Sequence, residues 1–231
     1  MPTVLITGAN RGLGLEFCRQ YVRDGWDVVA CCRNPDTSRA LAELDRSREQ
    51  LTIWQLDVSN RVQIDNLASQ LKGRPIDILV NNAGVYGDTP KTAFGRIDYA
   101  RWEEVLRINT LAPVKLTEAF TDHLRAGHGR LTVAVTSLMG SMGDNSSGGA
   151  ILYRSSKAAL NAAMRSLSFD LRGYGIGVLI LHPGWVKSDM GGTNAPLSVE
   201  ESVAGMRNVI GRFDPSLSGQ FLNFRGQVQP W

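Results

Sequence analysis

A phenol and a primary amine stand four residues apart in Tyr153-Arg154-Ser155-Ser156-Lys157, a spacing that puts both side chains on one face of a helix. A phenol is a poor acid–base group at neutral pH, its ordinary pKa being about 10, and a neighbouring ammonium favours the phenolate. Tyr153 is therefore a candidate to give a proton to a carbonyl oxygen or to take one from an alcohol. Ser137, closing a short β-branched run, offers a hydroxyl that would hold the same oxygen. Each feature alone has a plain alternative, surface decoration for the pair and turn chemistry for the serine.

Asn109 interrupts an apolar stripe formed by Trp102, Val105, Ala112, Leu116 and Ala119, which steps by three and four. A polar amide in that buried register must find partners. Pro113, four residues further on, has no N–H, so the Asn109 carbonyl loses its intrahelical donor and is left to bind a water, as a proton path from Lys157 to solvent would require. A kink filled by an incidental water is the plainer account.

A second group of residues reads as a phosphate cradle: Thr7-Gly8-Ala9-Asn10-Arg11-Gly12-Leu13-Gly14, with a strand before it and a helix after it. Gly8 permits the sharp turn, Gly12 lets the backbone approach a pyrophosphate, Gly14 lets helix and strand close, and the helix N-terminus supplies free N–H groups. The second strand ends Ala30-Cys31-Cys32-Arg33 with no carboxylate for a ribose 2′-hydroxyl. Arg33, with Arg11 from the glycine loop, suits a 2′-phosphate, which favours NADP over NAD; solvated surface arginines are the alternative. Asp57, after the third strand, is placed either to accept from an adenine amino group or to cap the helix near Asn60. Asn81-Asn82-Ala83-Gly84 closes the fourth strand with two amides and two small residues that admit a flat ligand, although a plain turn would look similar. His182-Pro183-Gly184-Trp185-Val186-Lys187-Ser188 follows the sixth strand and opens a glycine-containing lid, a substrate loop over about residues 184–198. Trp185, Val186 and Met190, with Leu138 and Met142, are expected to wall a nonpolar pocket. His182 reads as a satisfied strand-end histidine, and no cluster has metal-ligand spacing.

Positioning these groups takes alternating strands and helices. Short apolar runs predict strands over residues 3–7, 27–32, 51–56, 76–81, 130–136, 177–181 and 220–223; amphipathic stretches predict helices over 12–24, 38–46, 60–71, 99–124, 152–172 and 199–210. The fold class expected is α/β: a three-layer, doubly wound (Rossmann) parallel sheet of about seven strands, forming a single domain over residues 1–231. Ligands of such sheets sit beyond the carboxyl ends of the strands, where strand order reverses.

With 231 residues, 43% of them hydrophobic and 20% charged, the chain has the composition of one globular domain. A formal charge of +3 spread along the sequence implies no nucleic-acid or membrane partner. No apolar run is long enough to span a bilayer, the first residues do not read as a leader, and Cys18, Cys31 and Cys32 read as reduced, buried thiols; a cytoplasmic protein is expected.

In this order, Gly8/Gly12/Gly14, Asn81 through Gly84, Asn109, Ser137, Tyr153/Lys157 and Pro183-Gly184 resemble the short-chain dehydrogenase/reductase family over essentially the whole chain. Asn10-Arg11-Gly12-Leu13-Gly14, residues 153–161 and residues 226–231 are similar to its compact carbonyl-reductase branch, with sniffer-type and C-factor-like members. The resemblance implies hydride transfer between nicotinamide and a carbonyl carbon, with Tyr153 as general acid/base, Ser137 positioning the substrate oxygen, Lys157 lowering the tyrosine pKa and binding the nicotinamide ribose, and Asn109 holding the relay water. It further implies that Gly8, Asn10, Arg11, Gly12, Leu13, Gly14, Arg33, Asp57, Val58, Asn82, Ala83, Gly84, Pro183, Gly184, Val186 and Ser188 bind the cofactor. Ser188 stands where a threonine is commoner, and the stretch from Ser137 to Tyr153 is slightly long. The expected partner is a small, fairly apolar carbonyl or alcohol. Family members commonly pair through the helices after the fourth and fifth strands, where Ala158, Ala159, Ala162 and Ala163 permit close approach, so a homodimer or homotetramer is expected. Two other readings stay open: an NAD-dependent alcohol dehydrogenase, and a nucleotide-binding signalling protein without turnover.

Overall fold

A computed structural model describes residues 1–46, 50–89 and 93–231, with the side chains of residues 45 and 46 left aside. Among these residues, β1 (Thr3–Thr7), β2 (Asp27–Cys32), β3 (Leu51–Gln55), β4 (Ile78–Asn81), β5 (Leu131–Val135), β6 (Gly177–His182) and β7 (Phe221–Asn223) form one parallel sheet in the order β3-β2-β1-β4-β5-β6-β7. Strand order reverses between β1 and β4, which run in register from Val4 against Ile78 to Ile6 against Val80. The doubly wound α/β fold is thus as the alternation of patterns predicts.

Successive strand residues face opposite layers. Val4 and Ile6 of β1 and Val28 and Ala30 of β2 pack with Phe17 and Tyr21 of α1 (Gly12–Arg23) and with Met206 and Val209 of α8 (Val199–Gly211). Leu5 and Val29 point the other way, to Ile64 of α3 (Arg61–Gln70), Leu116 of α5 (Ala112–Ala119) and Leu160 and Met164 of α7 (Ile151–Asp170). Both faces are covered, which is why the strands are apolar throughout rather than alternating. The short α2 (Arg39–Arg46) completes the α1 side. Cys18, Cys31 and Cys32 are free and buried, as read from the sequence.

The sequence predicts one helix over residues 99–124, and here the structure differs. Helix α4 (Tyr99–Leu106) widens into a π turn over Arg107–Leu111, continues as α5, and a further short α6 (Thr121–Ala126) follows. Within the wide turn the Ala112 N–H donates to the Arg107 carbonyl, and the next residue, Pro113, has no N–H to give.

At the amino ends of the strands, Asp77 gathers three backbone amides: Oδ2 accepts from Thr3 N (2.7 Å), and Oδ1 from His128 N (2.7 Å) and Gly129 N (3.0 Å). Burial raises its pKa, but these bonds to the carboxylate outweigh burial and leave it below the ordinary value. The carboxyl ends of the strands are left open.

Candidate active site

The loop after β1 is fastened to the end of β4. Thr7 Oγ1 accepts from the amides of Asn82 and Ala83 (both 3.1 Å), while Asn82 Nδ2 donates to the carbonyls of Thr7 (2.9 Å) and Gly8 (3.3 Å). A Cβ on Gly14 would lie 2.1 Å from the Gly8 carbonyl oxygen, so only glycine lets α1 start this close to the strand. Gly12, at φ +52° with open space around it, begins α1, and no side chain caps that end. The first-turn amides are thereby left for an anion.

Around this loop a cleft of about 530 Å³ opens at the carboxyl edge of the sheet, spanning the point where strand order reverses. Every residue singled out from the sequence as catalytic or cofactor-binding lines it, except Gly14 and Asn109. Gly14 is consumed in the contact between helix and strand, and Asn109 lies behind the wall, with no exposed surface. Arg33 and Asn10 stand at one end of the cleft, and Arg11 reaches across its mouth to an ion pair with Asp189. Asp57 Oδ1 accepts from Ser59 N (2.9 Å) and Ser59 Oγ (2.7 Å), shaping its own turn; the cap of α3 is Asn60, whose side chain accepts from Gln63 N (3.2 Å).

The chemistry-bearing groups converge at the other end. Tyr153 and Ser137 line the same end of the cleft, and Ser137 Oγ accepts from Met139 N (3.1 Å). Burial raises the phenol, the nearby Ser137 hydroxyl lowers it and Tyr86, its ring centroid 4.9 Å from that of Tyr153, adds to the rise, leaving the phenol pushed up to about 12. Lys157 Nζ donates to the Val135 carbonyl (2.9 Å) and lies 5.8 Å from the centre of the Tyr153 ring. Its own pKa is driven down to about 8 by burial. In the protein alone burial dominates, the phenol stays above its ordinary value, and Tyr153 is held as the protonated acid.

Asn109 serves through its side chain. Oδ1 accepts from Val85 N (2.9 Å) and Nδ2 donates to Val85 O (2.8 Å) and Ser156 Oγ (2.9 Å), so one amide pins the segment after β4 to α7. A Cβ on Gly84 would come within 3.2 Å of Asn109 Oδ1 and 3.6 Å of Lys157 Nζ; its absence keeps the space in front of the amine open.

The segment after β6 closes the cleft. Val186 bridges to Leu197, with Lys187 N donating to Leu197 O (2.8 Å), and Trp185 Nε1 donates to Gly191 O (2.8 Å). Tyr86, Met139, Trp185 and Met190 supply the apolar wall. Leu138 and Met142 do not line it; Met142 is 77% exposed. His182 accepts from Leu138 N through Nδ1 (3.2 Å), and burial lowers its pKa to about 4, so it is a neutral structural group.

A dinucleotide fits these residues on three counts: uncapped helix amides beside Gly12, a glycine-lined approach to a buried amine, and arginines at the far rim. Sequence reasoning missed Tyr86, Met139 and the anchoring role of Thr7. The aromatic next to Gly87 in the segment after β4 was the available signal for the first. No described residues form a group of three or more His, Cys, Asp or Glu able to hold a metal, and no described helix is long and apolar enough to cross a membrane.

Known proteins share this architecture. A family model described as short chain dehydrogenase matches residues 2–196. A Myxococcus xanthus protein named C-signal is 48% identical over 157 residues, covering 68% of this chain and 93% of that protein. The NADPH-bound carbonyl reductase from chicken fatty liver superposes with a TM-score of 0.92 at 36% identity, over 100% of this chain and 99% of its own. The carbonyl reductase Sniffer of D. melanogaster does so at 0.93 and 33% identity, over the whole of both chains.

Proposed function

Because the chain belongs to the short-chain dehydrogenase family and is an NAD(P)-dependent oxidoreductase, we propose that it reduces the carbonyl of an aldehyde or ketone with NADPH. The observation that carries this reading is Tyr153, protonated and buried beside Ser137 and Lys157, at the end of a cleft whose other end is a phosphate-ready helix terminus.

When bound, the nicotinamide supplies the hydride. Tyr153 gives its proton to the developing alkoxide, and the Ser137 hydroxyl holds that oxygen during transfer. Lys157 lends positive charge beside the phenol once an anionic cofactor shares its pocket, and the ribose hydroxyls are its natural partners. Asn109, through its carbonyl in the π turn, holds the water by which Tyr153 and Lys157 regain a proton. Gly8, Asn10, Gly12, Leu13, Ala83 and Gly84 form the bed for the pyrophosphate and ribose, Asp57 and Val58 meet the adenine, and Pro183, Gly184, Val186 and Ser188 meet the carboxamide end. Gly14 and Asn82 act by holding that bed in shape. Arg11 and Arg33 select NADPH over NADH by pairing with the 2′-phosphate, and no carboxylate at the end of β2 competes. The segment over residues 184–198 is the substrate loop of a single domain, and its aromatic and methionine wall favours fairly apolar carbonyls. The readings as an NAD-dependent alcohol dehydrogenase or a non-catalytic binder lack support from a carboxylate after Cys32 or from a dismantled Ser137–Tyr153 pair.

The test is NADPH consumption followed at 340 nm with purified protein across aldehydes, ketones and quinones. Tight NADPH binding with no oxidation by any of them would overturn the reading.

A further inference from the structure

Helix α7, which carries Tyr153 and Lys157, starts without a cap of its own. Its N-cap residue is Ala150, held at φ 46° and ψ 45° in the left-handed region, with no side-chain oxygen to offer. Two orphan amides of the first turn are met from 64 and 65 residues away: Asp88 Oδ1 accepts from Leu152 N (3.2 Å) and Oδ2 from Tyr153 N (2.8 Å). The residue before it, Gly87, lies at φ +81°, and a Cβ there would fall 2.3 Å from Val105 Cγ2, so Asp88 is delivered by a backbone pressed directly onto α4. One position earlier, the Tyr86 ring lies 4.9 Å from the Tyr153 ring.

We propose that Asp88 is a positioning residue for Tyr153, and that Tyr86-Gly87-Asp88 holds that tyrosine at two points, its main chain and its ring. The proposal rests on the carbonyl-reductase reading above. Asp88 bonds Tyr153 through its amide and takes no part in the proton transfer. Ala150, left-handed and preceded by two glycines with positive φ, brings no side-chain oxygen to the start of α7, and the Asp88 carboxylate supplies the cap instead.

Wild type, Asp88→Ala and Asp88→Asn are compared in turnover of a carbonyl that the wild type reduces, in NADPH affinity, and in amide hydrogen exchange at Leu152 and Tyr153. In Asp88→Ala the two amides are expected to exchange about tenfold faster or more, and kcat to fall roughly tenfold from loss of placement, with NADPH affinity within about twofold. Asp88→Asn keeps one oxygen for one of the amides and is expected to recover most of the loss. A lowered melting temperature with unchanged kcat would make the contact a stability cap only and overturn the proposal. So would parallel loss of NADPH binding and kcat, or an Asn variant no better than Ala. Failure of the wild type on every carbonyl overturns the underlying reading; unchanged exchange at Leu152 and Tyr153 in Asp88→Ala overturns this proposal whatever the activity.

Discussion

Replacing Lys157 by Met is expected to make the protein more stable while abolishing its function. Lys157 is 4% exposed, its amine donates to a neutral carbonyl, and no carboxylate pairs with it among the described residues. A pKa brought down from 10.5 to about 8 means that holding the charge in the folded state at pH 7 costs about 3 kcal/mol. Methionine keeps the unbranched stem and removes that cost, but it leaves the Val135 carbonyl without its donor, a loss of about 1 kcal/mol. The net gain is about 2 kcal/mol, or roughly 4–8 °C in melting temperature for a chain of this size. The pH dependence fixes the cause. Between pH 8 and 10.5 the unfolded chain holds this proton more firmly than the folded one, so the wild type gains stability as pH rises through that window and the variant does not. The gap should be full below pH 8 and nearly closed by pH 10. Thermal unfolding of both proteins without cofactor, at pH 7 and pH 10, measures it. A variant no more stable than wild type at pH 7, or a gap that stays constant with pH, would refute the reasoning.

Tyr153→Phe is expected to lower turnover by roughly 10²–10⁴ while NADPH affinity stays within a few-fold; unchanged turnover in the 340 nm assay would remove the tyrosine from the mechanism. Arg11→Ala and Arg33→Ala should weaken NADPH more than NADH in titrations by fluorescence, and equal losses would remove the basis for the cofactor choice. Asp77→Ala strips the acceptor from three backbone amides and should cost about 3 kcal/mol or more by denaturant unfolding, with kcat unaffected once the protein is folded.

Most of the sheet could be read from composition and periodicity because strands covered on both faces are written as short apolar runs. The bounds of β1 and β2 match the sequence reading residue for residue. At β4 the match fails by two residues: the amides of Ile76 and Asp77 go to the carbonyls of His123 and Thr3, so the apolar run begins before the ladder does. Pro113 announced an irregular helix, yet the pattern from 99 to 124 hid how often it is interrupted, since apolar periodicity survives a widened turn. The site was legible where one residue type does one job, as at the glycine loop. It was not legible where burial decides, as in the direction of the Tyr153 pKa, nor where two residues meet only in space, as Asp88 does with α7.

Asp77 sits at the amino rim of the sheet, and β4 separates it from Asn81 by about 13 Å of strand. The chain therefore keeps the Asp77 fastening and its reactive chemistry on opposite edges of one plate. Laboratory selection for heat resistance has the amino rim to remodel without disturbing how a ligand is gripped, and selection for new ligands can reshape the segment over residues 184–198 without loosening the Asp77 fastening.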